Sequence, residues 1–165
     1  VDSDGQQDLV RPHVEMGLTA LIGMMLAGKL EVAFEVYLSR EGNFASRPDM
    51  SIESKLRIDF DSNQELTGPY PCLGTDFDGD GVPDLLVGRA GAGSGEDPDR
   101  LEIRKGLGGI RFSEESIWGT NLQGTRYVVP FQVKRGAAPS LLVYFPKIEA
   151  RRGDVWVFHN SGKEN

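Results

Sequence analysis

Between residues 76 and 88 the chain reads Asp76-Phe77-Asp78-Gly79-Asp80-Gly81-Val82-Pro83-Asp84-Leu85-Leu86-Val87-Gly88. Four aspartates this close together in a glycine-rich turn repel one another unless a cation lies among them. Carboxylates are hard oxygen donors. Asp76, Asp78, Asp80 and Asp84, with a backbone carbonyl near Val82, would supply the roughly six to eight oxygens that Ca²⁺ takes at about 2.3–2.6 Å. Gly79 and Gly81 suit a backbone that must turn sharply enough to aim successive carboxylates inward. The spacing therefore predicts a calcium loop. An EF-hand shares the opening D-x-D-x-D-G, but it needs a bidentate Glu at about the twelfth loop position and helices on both sides. Here that position is Val87, and the run Leu85-Leu86-Val87 bounded by Gly88 reads as a short buried strand.

Similar spacing recurs. Asp2-Ser3-Asp4-Gly5-Gln6-Gln7-Asp8-Leu9-Val10 matches the loop from its third position onward, with Asp2, Asp4, Gln6 and Asp8 standing where Asp78, Asp80, Val82 and Asp84 do. A third copy runs from Gln132 to Val143, with Pro139-Ser140-Leu141-Leu142-Val143 aligned to Pro83-Asp84-Leu85-Leu86-Val87. In it Gln132, Lys134, Gly136 and Ser140 replace the four aspartates, so this unit is expected to lack metal and to be held by packing alone. These loops resemble those of the FG-GAP and VCBS repeats, whose D-x-D-G-D-G-x-x-D-L turns connect strands of β-propeller blades in integrin-type propellers and many secreted bacterial proteins. The resemblance implies an all-β fold of β-propeller-type antiparallel blades. The approximate blades are 1–72, 73–131 and 132–165, the last incomplete, together forming part of one propeller domain. Repeats of this kind cannot bury their faces without neighbours.

Strand signals fit that frame. Residues 30–38 alternate Leu30, Val32, Phe34, Val36 and Leu38 against Glu31, Ala33, Glu35 and Tyr37, the period-two pattern of a half-buried strand. Further strands are expected near 52–60, 101–104, 106–109, 127–133, 141–145 and 155–158, each bounded by turn residues. Residues 38–44, 104–112 and 158–162 read as one hairpin in three settings. The exception is 16–28, an uncharged stretch too short for a membrane crossing of about twenty residues. It predicts a short buried helix inserted in the first blade, with Leu18, Leu21, Ile22 and Met25 as its inner stripe.

Composition narrows the functional classes. The chain has 165 residues, 21 glycines, 9 prolines and a formal net charge of −7, which suits a turn-dense β fold and argues against a nucleic-acid surface. Cys72, the single cysteine, reads as a small buried apolar residue. The acidic stretch 59–65 lacks the glycines of the first loop and reads as a solvated strand end, and 96–99, which follows the glycine-rich 91–95, reads as a mobile hairpin tip. His13 and His159 have no partner at zinc or catalytic spacing, and no serine elbow or phosphate loop is present.

The expected activity is therefore Ca²⁺ binding without catalysis. The expected role is a structural or binding scaffold, for adhesion or interaction, in a secreted, cell-surface or periplasmic protein. The alternative is an accessory part of an extracellular carbohydrate-active enzyme, for which Trp118, Tyr127, Tyr144 and Trp156 are candidate sugar-stacking residues, although alternating aromatics usually pack in the core. Expected partners are remaining blades of the same protein or another subunit, and a protein or glycan ligand. No nucleic acid and no membrane span are expected.

Overall fold

The computed structural model describes residues 4–59, 65–68, 70–89, 99–122, 127–134, 137–145 and 153–161. These form mostly antiparallel β structure with one short helix. In chain order the elements are β1 (Leu9–His13), α1 (Leu18–Ala27), β2 (Lys29–Tyr37), β3 (Met50–Asp59), β4 (Glu65–Thr67), β5 (Cys72–Thr75), β6 (Asp84–Arg89), β7 (Asp99–Gly106), β8 (Phe112–Leu122), β9 (Tyr127–Phe131), β10 (Ser140–Phe145) and β11 (Asp154–Phe158).

The strands fall into three antiparallel groups. In the first, β2 lies between β1 and β3, and the short β4 pairs with β3. The second is the meander β5–β6–β7–β8. The third places β10 between β9 and β11. A lone parallel bridge, Lys55 to Arg89, and a hydrogen bond from the Ser54 hydroxyl to the Gly88 carbonyl join the first group to the second. The repeat spacing puts β9 at the end of the second unit, yet its ladder runs to β10, from Ser140–Phe131 to Tyr144–Tyr127.

The second group is covered on both faces, which is why Leu85, Leu86 and Val87 are buried in succession rather than alternately. Leu85 and Val87 pack with Val32, Phe34, Val36, Ile52 and Leu56 of the first group. Leu86 points the opposite way, and with Leu101 and Ile103 it meets Leu141, Val143 and Phe145 of the third. Cys72 lies half-buried at the edge of this second cluster, where desolvation raises its thiol pKa. Trp118 and Trp156 also turn inward, stacking edge-on against Phe158 and Phe145 at 5.6 and 5.2 Å between ring centres. Tyr127 and Tyr144 are cross-strand neighbours on the opposite face of the third group.

The helix corrects one expectation. It spans Leu18–Ala27, ends at Gly28 in the left-handed region with φ 61°, and closes through the Gly28 amide on the Met24 carbonyl. Its apolar side chains are not core, however. Leu18 is 76% exposed and Leu26 84%, and Leu21, Ile22 and Met25 also face solvent. Among the described residues no side chain of α1 joins either buried cluster, and α1 lies in the connection between the antiparallel neighbours β1 and β2. No helix among the described residues is long and apolar enough to cross a membrane. Most of the acidic stretches 59–65 and 96–99 lies outside the described residues.

Candidate metal centre

The turn between β5 and β6 is built by its own carboxylates before any ion is considered. Each aspartate captures a backbone amide that the tight bend would otherwise leave unpaired. Asp76 accepts from Gly79 through Oδ1 at 2.7 Å and from Gly81 through Oδ2 at 2.8 Å. Asp78 accepts from the Asp80 amide at 3.1 Å, and Asp80 from the Val82 amide at 2.9 Å. Gly79 and Gly81 sit at φ 77° and 85°, a region that a side-chain-bearing residue enters only at a steric cost. Phe77 turns the other way and is buried between the second and third groups, so the loop is anchored by a ring inside and carboxylates outside.

Asp84, the first residue of β6, is fully buried. Its Oδ2 accepts the Phe77 amide at 2.7 Å, and its Oδ1 accepts the Gly106 amide at the end of β7, also at 2.7 Å. One carboxylate thereby clamps the start of the loop to the neighbouring hairpin. The approach is close: a Cβ built on Gly106 would lie 2.1 Å from the Pro83 carbonyl oxygen.

Of the residues expected to bind metal, the structure gathers Asp76, Asp78 and Asp84. One carboxylate oxygen from each lies within 4.8 Å of the others, a spread that one ion about 2.4 Å from every oxygen accommodates, because opposite ligands of such a shell are about 4.8 Å apart. Asp80 is not in that trio. It faces Lys105, whose ammonium donates to Asp78 Oδ2 and Asp80 Oδ2 at 2.5 Å each. Asp78 and then Asp80 hold the Lys105 ammonium above the ordinary lysine range. Lys105, followed by the Val82 amide, holds the Asp80 carboxyl below its usual range. Val82 enters the loop's hydrogen bonding through its amide. Beside Asp76 a cleft of about 590 Å³ opens, walled by Thr75, Gly79, Phe131, Gln132 and Pro139.

Sequence reasoning missed Lys105. The signal was its position one step beyond the Leu85–Arg104 pair, which places it across the ladder from Asp84. Because the Lys105 ammonium is itself partly exposed and screened, Lys105→Met should melt less than about 4 °C below the unaltered chain in chelator at low salt. The difference should shrink in 1 M salt; thermal melts at the two ionic strengths measure it, and identical curves at low salt would show the contact to be idle.

The first loop has the same clamp, and among its described residues no carboxylate trio gathers. Asp2 lies outside the described residues. Asp4 accepts the Gln6 amide at 2.8 Å, as Asp80 does that of Val82. Asp8 accepts the Ser39 amide at 3.0 Å, as Asp84 does that of Gly106. Gln6 also reaches across, its Oε1 accepting the Glu41 amide at 3.1 Å. In the third group Ser140, aligned with Asp84, accepts the Asn160 amide at 3.3 Å and meets His159 Nδ1 at 3.3 Å. The expectation that packing alone holds that turn is therefore corrected, since a hydroxyl keeps the clamp where the carboxylate is gone. Asn160 also donates its side-chain amide to the Phe77 carbonyl at 2.8 Å, tying the third group to the aspartate loop. No family model, no curated protein and no solved structure matches this chain.

Proposed function

We propose that the chain is a calcium-binding β-propeller repeat module of the FG-GAP/VCBS kind, acting as a non-enzymatic structural or binding scaffold in a secreted, cell-surface or periplasmic protein. The observation that carries this reading is the threefold clamp, Asp8 to Ser39, Asp84 to Gly106 and Ser140 to Asn160. It falls at the three positions that the sequence repeat aligns, with the Asp76–Asp78–Asp84 trio at the middle one. All-oxygen donors favour a hard cation, and a loop of small residues and backbone carbonyls suits Ca²⁺ better than the rigid octahedron of Mg²⁺. Asp76, Asp78 and Asp84 would hold the ion, with Asp80 and the Val82 carbonyl completing the shell once Lys105 is displaced. The ion would supply charge neutralisation and cross-bracing, not chemistry. Asp2, Asp4, Gln6 and Asp8 form the candidate second site.

At the Kd of about 10⁻⁴ M usual for extracellular modules and about 1 mM calcium, binding adds roughly 1.4 kcal/mol per site. Cytosolic calcium would leave such a site mostly empty, and this supports the extracellular placement. Calcium at 1 mM should raise the melting temperature by about 3–6 °C over chelator, and Asp78→Asn with Asp80→Asn should abolish the rise. Melting curves that coincide with and without chelator would remove the metal from this reading.

A further inference from the structure

The aspartate turn has its charges met before any ion arrives, and the partners differ in kind. Asp76 accepts the Gly79 and Gly81 amides, and Asp84 those of Phe77 and Gly106. A carboxylate oxygen with an amide on one lone pair keeps another for a metal, so none of these four bonds opposes an ion. Lys105 does. Its ammonium lies 2.5 Å from Asp78 Oδ2 and 2.5 Å from Asp80 Oδ2, and among the described residues it is the one cation on the carboxylates of this turn.

Asp78 stands in both arrangements. It belongs to the trio with Asp76 and Asp84, and it is one of the two anchors of the ammonium. A divalent ion and an ammonium on one carboxylate repel each other, so the two compete for it. The position of the lysine is built into the hairpin, because the amide of the next residue, Gly106, is fixed to Asp84 at 2.7 Å. That bond pins the base of the Lys105 side chain beside the turn. The side chain itself is 38% exposed, and its flexible four-carbon stem lets the ammonium swing into water while the backbone stays in place.

We infer that Lys105 sets the calcium threshold of the turn, as an internal counter-cation that occupies Asp78 and Asp80 in the metal-free chain and is expelled when the ion binds. This rests on the calcium reading above and adds its regulation: uptake becomes an exchange of one cation for another within a turn that is already shaped. A site whose competent state is only fractionally populated binds more weakly by that fraction. Two partly exposed ion pairs, each weak by itself, suffice to hold the competent state to about one part in ten. Removing the ammonium should therefore tighten calcium binding about tenfold, although the same change lowers the melting point in chelator. The opposite signs distinguish a competitor from a simple brace, whose loss would weaken the turn and the site together.

Calorimetric calcium titration of the full chain is the test. Lys105→Met should bind calcium about tenfold more tightly than the unaltered chain, whereas Lys105→Arg, which keeps the charge, should stay within about threefold of it. Lys55→Met removes a positive charge paired with Glu31 in the first group and should leave the affinity as it is. In the unaltered chain the Lys105 ammonium protons, identified by their absence from the Lys105→Met NMR spectrum, should exchange slowly with water in chelator and disappear at saturating calcium. Lys105→Gln gives the same titration should Lys105→Met fold poorly. Equal affinities for the unaltered chain and both neutral variants would overturn the inference and leave calcium as the ligand, and so would an ammonium signal that calcium does not change. Absence of calcium uptake by every chain would instead remove the calcium reading, and this inference with it.

Discussion

Asp84→Ala melts about 5–20 °C below the unaltered chain, and does so in chelator, where no divalent cation contributes. The substitution removes the acceptor for two buried amides, Phe77 and Gly106. Each orphaned donor costs about 1–3 kcal/mol, and a chain of this length loses about 2–4 °C per kcal/mol. Against a total stability of about 5–15 kcal/mol, the loss of this one carboxylate brings the fold near its limit. Asp84→Asn falls between the two, because the amide oxygen retains one bond while its NH₂ faces the other N–H. Running the melts in chelator separates the clamp from the metal: an Asp84→Ala chain that melts with the unaltered one in chelator would reduce Asp84 to a ligand and nothing more.

Gly106→Ala is expected to be at least as severe, by sterics rather than hydrogen bonding. The added methyl would stand 2.1 Å from the Pro83 carbonyl oxygen and 2.9 Å from Val82 Cγ1, and a Cβ has no rotamer with which to escape. Either the β7 end or the Val82–Pro83 backbone must move, and that movement also breaks the Gly106 bond to Asp84. Overpacking of well-fitted sites costs about 1–3 kcal/mol and sometimes more. With the clamp lost as well, a loss of about 3 kcal/mol or more in denaturant melts is expected. Gly23→Ala is the matched control. A Cβ there meets nothing within 4 Å, and alanine is the better helix former by about 1 kcal/mol, so its midpoint should hold or rise. A Gly106→Ala chain with an unchanged midpoint would mean that the turn yields at no cost.

The aspartate turn was legible because its parts are consecutive in the chain, so spacing alone places the carboxylates near one another. The Asp84–Gly106 contact spans 22 residues, and only the β6–β7 register reveals it; the same holds for Lys105. Strand β8 escaped notice because Ser113, Glu114, Glu115 and Ser116 carry no apolar alternation, although Leu122 is buried and Trp118 packs against the core. The helix was seen in place but misjudged in burial. Composition reports that residues 16–28 are apolar; it does not report that Val32, Phe34 and Leu85 make their buried cluster without the helix.

The clamps also bear on how the chain acquires its fold during synthesis. The three close loops of 31, 22 and 20 residues, spans whose closure entropy grows slowly with length. The tie from Asn160 to Phe77 crosses 83. Each hairpin can therefore be sealed soon after its second strand leaves the ribosome, with docking of one group on the next following as a later, slower step. A polypeptide made this way grows by vectorial addition, and its nascent end always presents a freshly completed, still uncovered sheet.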